Sequence, residues 1–592
     1  MNSDLSIAVL PFKNMSSNEE NEYFCDGITE EIINALAKIG SLKVTSRTSS
    51  FHFKNKELPI SEIGETLGVT TILEGSARLA GGVVRITAQL IQAEDDFHYW
   101  SETWDRKFEN IFEIQDEVSL LIADKIRENF GHFELEDHLI PAATKDINAY
   151  EYSLKGNFYK NKWGADNAKK SLEYYQKSLE LDSQLVDSII GLADVYSFLG
   201  MVGQMPFQEA WMKCNELIEK TLELDPKNAK AYYQKGHSAF FTEVNFSKAM
   251  EFGTKAIQLS PNYAEAQQFM SFLHVLSGNV EESKKHLDIA IGLDPLNRET
   301  LFFKAYFDYM TRNYGPAMEQ LAACIEVNPA NIPAHSVMVL ALLKTGEYDR
   351  VIHYFDDIDE ELVEAEKTGS IALAHAFKKD AENIEKYKKI LLERSKTPDG
   401  FTYDSYVFMM HAVCGEIDQA FEWVENGIKN KSSLLMLRYP DPMVDILRED
   451  DRYQKLHEQM FIATVKATTK SAKKALLDES SAEEYKKKLV DYIEDNEAFL
   501  DPELTLRSLA DQIELHPNKL SWLINEMHAQ NFNQFINAYR IERFKFLALK
   551  PDSSQFSILG LAYESGFNSK TVFNTYFKKS TGQSPKAWIQ AQ

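Results

Sequence analysis

The sequence predicts a multidomain protein: an N-terminal α/β domain, an all-α repeat solenoid, and an all-α C-terminal domain holding two helix-turn-helix units. Three observations predict it. Strand-like and helix-like periodicities alternate through the first 130 residues, prolines recur at a fixed interval in the middle, and the last hundred residues twice give a helix, a short turn and a helix. At 592 residues the chain is too long for a single core.

Hydrophobic residues make up 44% and charged residues 26%, the balance of a globular protein. No window approaches the length of a membrane-spanning apolar run, and the start, MNSDLSIAVLPF, lacks the charged and apolar regions of a signal peptide. A cytoplasmic protein with no membrane partner is therefore expected. Cys25, Cys214, Cys324 and Cys414 are too sparse for a disulfide framework and show no paired metal spacing. The 14 histidines are scattered, and neither a metal site nor a cofactor is expected. Net charge is −26, which by itself repels nucleic acid. The charge is segregated, however: from Leu504 onward ten basic residues face six acidic ones, a net of +4, and Lys570 to Gln592 holds no acid.

In residues 5 to 130, SIAVLPF reads as a strand, TEEIINALAKI as a helix and SLKVTSR as a second strand. TTILEGSARLA and VVRITAQLI flank Gly81-Gly82, a pair suited to a tight hairpin because glycine accepts positive φ. A strand near His98 to Trp104 leads into the helix EIQDEVSLLIADKI. This order, with IAVLPF, DGITEEI, the Ser49-Ser50-Phe51 corner, LEGSAR and IFEIQDE, resembles the TolB-like domain over about 125 residues, which implies a sensing or docking module. No phosphate-cradling glycine motif occurs there. Arg47, Ser49 and Ser50 are the candidate ligand-lining residues; capping of the next turn is the alternative. No residue set points to catalysis, so no enzyme and no catalytic residues are expected.

Pro226, Pro261, Pro295 and Pro329 are spaced by 35, 34 and 34 residues, and Ala249, Ser283 and Ala317, like Ala256, Ala290 and Cys324, recur every 34. Small residues let antiparallel helices approach, and a proline ends the second helix of each pair. The spacing resembles the tetratricopeptide repeat, loosely kept, with six or seven units. Such a solenoid implies a protein or peptide partner on its concave face, or a rigid spacer.

A tether-like stretch follows, then an amphipathic helix from Tyr485 to Glu497. The sequence TLRSLADQIELHPNKLSWLINEM gives a helix, a turn and a helix in which Leu520, Leu523, Ile524 and Met527 share one face. The arrangement recurs in ILGLAYESGFNSKTVFNTYFKKSTG, with Val572, Phe573, Tyr576 and Phe577 inward and Gly566 in the turn. FNQFINAYRIERFKFLALK between them makes a connecting helix of roughly 27 Å, close to the ~34 Å separating successive major-groove segments. These hundred residues resemble the AraC/XylS-type DNA-binding domain. The resemblance implies a transcription regulator whose first recognition helix presents His516, Asn518, Lys519, Trp522 and Asn525, and whose second presents Asn568, Ser569, Lys570, Thr571, Asn574, Thr575 and Lys578. Glu514 stands where the family commonly has glycine, and Trp522 and Thr575 where arginine or glutamine is frequent.

The expected domains are 1–130, 145–460, a linker at 461–484, and 485–592. The expected partners are double-stranded DNA and a protein or peptide on the repeats. With only +4 on the tail, affinity requires direct base contacts or a homodimer. An adaptor without a DNA target is the competing function.

Overall fold

The computed structural model describes residues 6–16, 21–107, 111–135, 144–162, 164–201, 204–329, 331–356, 358, 360–397, 401–461, 476–551 and 555–592. Most of the expected linker lies outside them. Contacts group the chain into two compact units that do not follow chain order: one holds Met1–Val44, Lys56–Ala143 and Thr468–Gln592, the other Thr45–Asn55 and Thr144–Ala467.

In the first unit a six-stranded sheet has β1 (Ser6–Val9), β2 (Lys13–Asn14), β3 (Lys43–Val44), β4 (Thr71–Ala80), β5 (Val83–Gln92) and β6 (His98–Lys107). The order is β3-β1-β4-β5-β6, with β2 also pairing β4; β1 runs parallel to β3 and β4, while β4, β5 and β6 form an antiparallel meander. β1 is buried throughout, as its unbroken apolar run requires, whereas β5 alternates and turns Val84, Ile86, Ala88 and Leu90 inward. Gly81 and Gly82 have φ of 59° and 76°, the left-handed pair a two-residue hairpin needs. Helices α1 (Glu22–Ala37), α3 (Ile60–Leu67) and α4 (Ile111–Phe130) belong to this unit. The expected strand SLKVTSR is only two residues long, because Ser46 caps a short helix, α2 (Arg47–Phe51).

The C-terminal helices of the first unit are Glu479–Asp495, Leu506–Gln512, Pro517–His528, Phe532–Ala548, Ile558–Tyr563, Lys570–Thr581 and Pro585–Gln590. The amphipathic helix starts before Tyr485 because Asp478 caps it, accepting from the Ser481 N–H at 2.9 Å.

The second unit is a helical solenoid. Its successive helix pairs are Ile147–Lys160 with Ala165–Leu181, Val186–Met201 with Phe207–Leu224, Ala229–Phe241 with Phe246–Leu259, Ala264–Leu276 with Val280–Leu293, Arg298–Met310 with Tyr314–Val327, Ile332–Lys344 with Tyr348–Ile352, Glu360–Lys378 with Ala381–Arg394, and Phe401–Val413 with Ile417–Lys429. That makes eight pairs among the described residues rather than six or seven: the later pairs lack the closing proline that marks the middle ones. Asp225, Ser260, Asp294 and Asn328 each precede a marker proline and have extended φ between −131° and −140°, so the ring forces the helix to stop there. Ala249, Ser283 and Ala317 are fully buried where paired helices meet, and Cys214 and Cys324 are buried free thiols. Among the described residues no helix is long and apolar enough to cross a membrane.

Candidate nucleic-acid interface

The first helix pair is built from local signals. Thr505 caps Leu506–Gln512 in a reciprocal box with Ser508, and Pro517 opens the next helix where a missing N–H costs nothing. Leu520, Leu523 and Ile524 are buried against Leu506, Leu509, Ala510 and Phe535. In the second pair Ser557 and Ser569 cap the two helices, and Phe573 and Phe577 are buried with Leu561, Ala562 and Phe567.

The helix Phe532–Ala548 joins them. Its first half gives Phe532, Phe535 and Ile536 to the first core, and its second half gives Ile541, Phe544 and Ala548 to the second. Its 17 residues span about 26 Å. Arg540, mid-helix and buried, donates from Nε to the Phe499 carbonyl and from Nη2 to that of Asp501, both at 2.7 Å. Burial holds its pKa down at about 10, with Asp501 and Glu503 pulling the other way. Gly566, with φ 92°, packs against the same turn, where a Cβ would collide with the Phe499 carbonyl oxygen.

On Lys570–Thr581, Lys570, Thr571, Asn574, Thr575 and Lys578 are all exposed, with Asn568 exposed just before the helix. At 100° per residue Thr571, Asn574, Thr575 and Lys578 share one side, away from Phe573 and Phe577, and Lys570 is exposed in the first turn. Ser569 is occupied as the cap, accepting from the Val572 N–H.

The first helix is placed differently. His516 caps it, Nδ1 accepting from the Asn518 N–H at 3.2 Å, and Lys519 and Asn525 are exposed. Trp522, expected to face outward, is half-buried against the first core. Asn518 is taken up by residues from the end of α4 and just beyond. Its Oδ1 accepts from Arg127 Nη1 at 2.5 Å and from the Leu135 N–H at 3.1 Å, and its Nδ2 donates to the Leu135 carbonyl at 2.9 Å. Arg127 is 1% exposed and paired with Asp124 at 2.5 Å. Burial lowers its pKa, with Asp124 opposing. Asp124 also pairs with Arg507 at 2.9 Å, Glu128 accepts from the Leu506 N–H at 2.8 Å, and Asn129 accepts from Asn531 and Asn533. Sequence reading missed these α4 partners. Asp124, Arg127 and Glu128, three and four residues apart, look like the solvated face of an ordinary helix.

The other candidate set lies in the second unit. Ser49 Oγ donates to Asp294 Oδ1 at 2.5 Å and accepts from the Leu296 N–H at 2.9 Å, so this hydroxyl is committed to a repeat turn. The Arg47 guanidinium lies 3.8 Å over the Phe51 ring, and Ser50 is buried. Among the described residues no group of acidic, histidine and cysteine side chains is arranged to hold a metal.

Residues 509–591 match the family model described as a helix-turn-helix domain. The C-terminal part of the chain is an AraC-type helix-turn-helix domain. Ahead of the AraC-type domain, residues 3–121 match the second domain of HilA/YgeH-like transcriptional regulators, so the α/β part is a regulator domain of that description. The chain is similar to "Putative adenylate cyclase 3" of Rhizobium meliloti (strain 1021), with 35% identity over 206 residues, 35% of this chain and 34% of that protein. It is also 23% identical over 158 residues, 26% of this chain and 18% of the other, to tetratricopeptide repeat-containing protein trd-1 of Caenorhabditis elegans. The match thus spans about a third of the first relative and less than a fifth of the second. Among solved structures, a thermophilic tetratricopeptide-repeat protein of Thermus thermophilus aligns at 17% identity and a TM-score of 0.26, covering 33% of this chain and 99% of that one.

Proposed function

We propose that this protein is a sequence-specific DNA-binding transcription regulator, with domains at 1–130, 145–460 and 485–592. The observation that carries the reading is the exposed row Lys570, Thr571, Asn574, Thr575 and Lys578 on a helix whose opposite side is anchored in a core. Asparagine bonds adenine through two hydrogen bonds, threonine meets a thymine methyl, and lysine serves guanine or phosphate. The AraC-type match supports this use, and the HilA/YgeH-like match supports a regulatory role for the N-terminal part. His516, Lys519 and Asn525 would contact DNA from the first helix, with Asn518 joining them where its amide is free. The repeats would take a protein or peptide, a second copy would add affinity, and the protein would act in the cytoplasm without catalysing a reaction.

Full-length protein is used to select duplexes from a random-sequence pool, and their retention is measured across a salt series. Salt-sensitive, sequence-selective binding that is lost on changing Lys570, Asn574 and Lys578 together to alanine is the expected result. Unaltered binding by that variant sinks the assignment.

A further inference from the structure

Asn518 and Leu135 make two antiparallel hydrogen bonds: the peptide N–H donates to Oδ1, and the carbonyl accepts from Nδ2. An adenine edge offers a side-chain amide the same pair, a donor at N6 and an acceptor at N7. Arg127 adds a third bond to Oδ1, and because a guanidinium can only donate, it fixes which end of the amide carries oxygen. The amide that would read a base is therefore occupied by protein in the arrangement a base would require.

The surrounding contacts make this a built docking. The Asp124 carboxylate bridges Arg127 and Arg507, Glu128 receives the first N–H of the Leu506–Gln512 helix, and the Asn129 carbonyl and side chain receive Asn531 and Asn533. Four of these partners are polar or charged and sit on one end of α4. Beyond it Gly131 turns with φ 111°, and a Cβ there would lie 3.2 Å from Asn525 Nδ2. The stretch thus covers Asn518 and passes close to Asn525, whose side chain stays exposed. The Lys570–Thr581 helix has no such cover: its outer row is exposed.

We propose that Asp124–Leu135 is an internal competitor for DNA, so that the Pro517–His528 helix reads bases only after Leu135 has left Asn518. The docked protein then engages DNA through one helix and the released protein through two. This rests on the DNA-binding reading above, and it locates the switch at a peptide-for-base exchange on one side chain.

The test uses full-length protein and a duplex it has selected from a random-sequence pool. Leu135→Pro removes the N–H that bonds Oδ1, and Arg127→Met removes the third bond while Asp124 keeps Arg507. If Leu135→Pro fails to fold, Arg127→Met still decides, with melting curves showing that each variant is intact. Expected are roughly tenfold tighter binding, a footprint lengthened by one neighbouring groove segment, and loss of both gains when Asn518→Ala is added. Wild-type affinity and footprint in the folded releasing variants overturn the competitor while DNA binding stands, provided that changing Lys570, Asn574 and Lys578 to alanine still abolishes binding. If the wild-type protein selects no duplex from the pool, the DNA-binding reading itself has failed.

Discussion

Glu514 and Gly566 hold the same left-handed backbone, φ 56° and 92°, in the same turn of the two helix-turn-helix units. In each, the following residue returns its N–H five residues back, Leu515 to the Ala510 carbonyl and Phe567 to that of Ala562, and then buries its side chain. The motif asks for glycine, and only the second unit supplies it. Glu514→Gly should raise the thermal midpoint by a few degrees, since the lost Lys488 contact is exposed and the relief is in the backbone. Gly566→Ala should lower it, because the Phe499 carbonyl leaves no space for a Cβ. Calorimetry on the two variants checks both signs.

Ser49 closes a repeat turn. Asp294 is fully buried and also receives Asn297 Nδ2 at 2.7 Å. Ser49→Ala takes from Asp294 Oδ1 one of its two donors, the Ser49 N–H at 3.1 Å remaining, and leaves the Leu296 N–H short of an acceptor, a cost of about 1–3 kcal/mol. A lower urea midpoint followed by a probe in the repeats is the expected readout.

Two groups on neighbouring repeat helices give opposite pH trends. Burial, helped by Asp294 and Glu299, pushes Glu265 up to about 7 from 4.5, so the native state keeps a proton the unfolded chain loses. Its contribution therefore falls as pH rises from about 4.5 to about 7. Burial holds His237 down at about 4 from 6.5, so its contribution rises with pH over about 4 to 6.5. Glu265→Gln should leave the rise unopposed, giving a thermal midpoint that climbs more steeply with pH than in the wild type.

Lys578→Ala and Asn574→Ala should weaken DNA binding in different ways. The lysine change should lower affinity for all sequences alike and reduce the dependence on salt by about one phosphate contact. The asparagine change should relax preference at one base pair while leaving the salt slope in place. Binding titrations on selected and mismatched duplexes separate them.

What was legible in the sequence was local. The helix stops before Pro261, Pro295 and Pro329, the Gly81-Gly82 hairpin, the inward faces through Leu520 and Phe573, and the Gly566 turn each follow from chemistry within a few residues. The fate of Asn518 was hidden because its partners, Arg127 and Leu135, lie 391 and 383 residues away. Trp522 misled for a related reason: on a wheel it points outward, yet an indole is large enough to reach the core from the rim. Ser49 looked like a ligand group or a cap because Asp294 is 245 residues distant.

The helix Phe532–Ala548 belongs to two cores at once, so distance and rotation between the two surfaces proposed to read bases are a single quantity. One extra residue within it would swing the second surface by about 100° around the axis while advancing it only ~1.5 Å. Mutation can thus revise the bases each surface prefers one position at a time. On that reading the interval between the two halves of an operator would be set by a rod anchored in two cores and would resist such gradual drift.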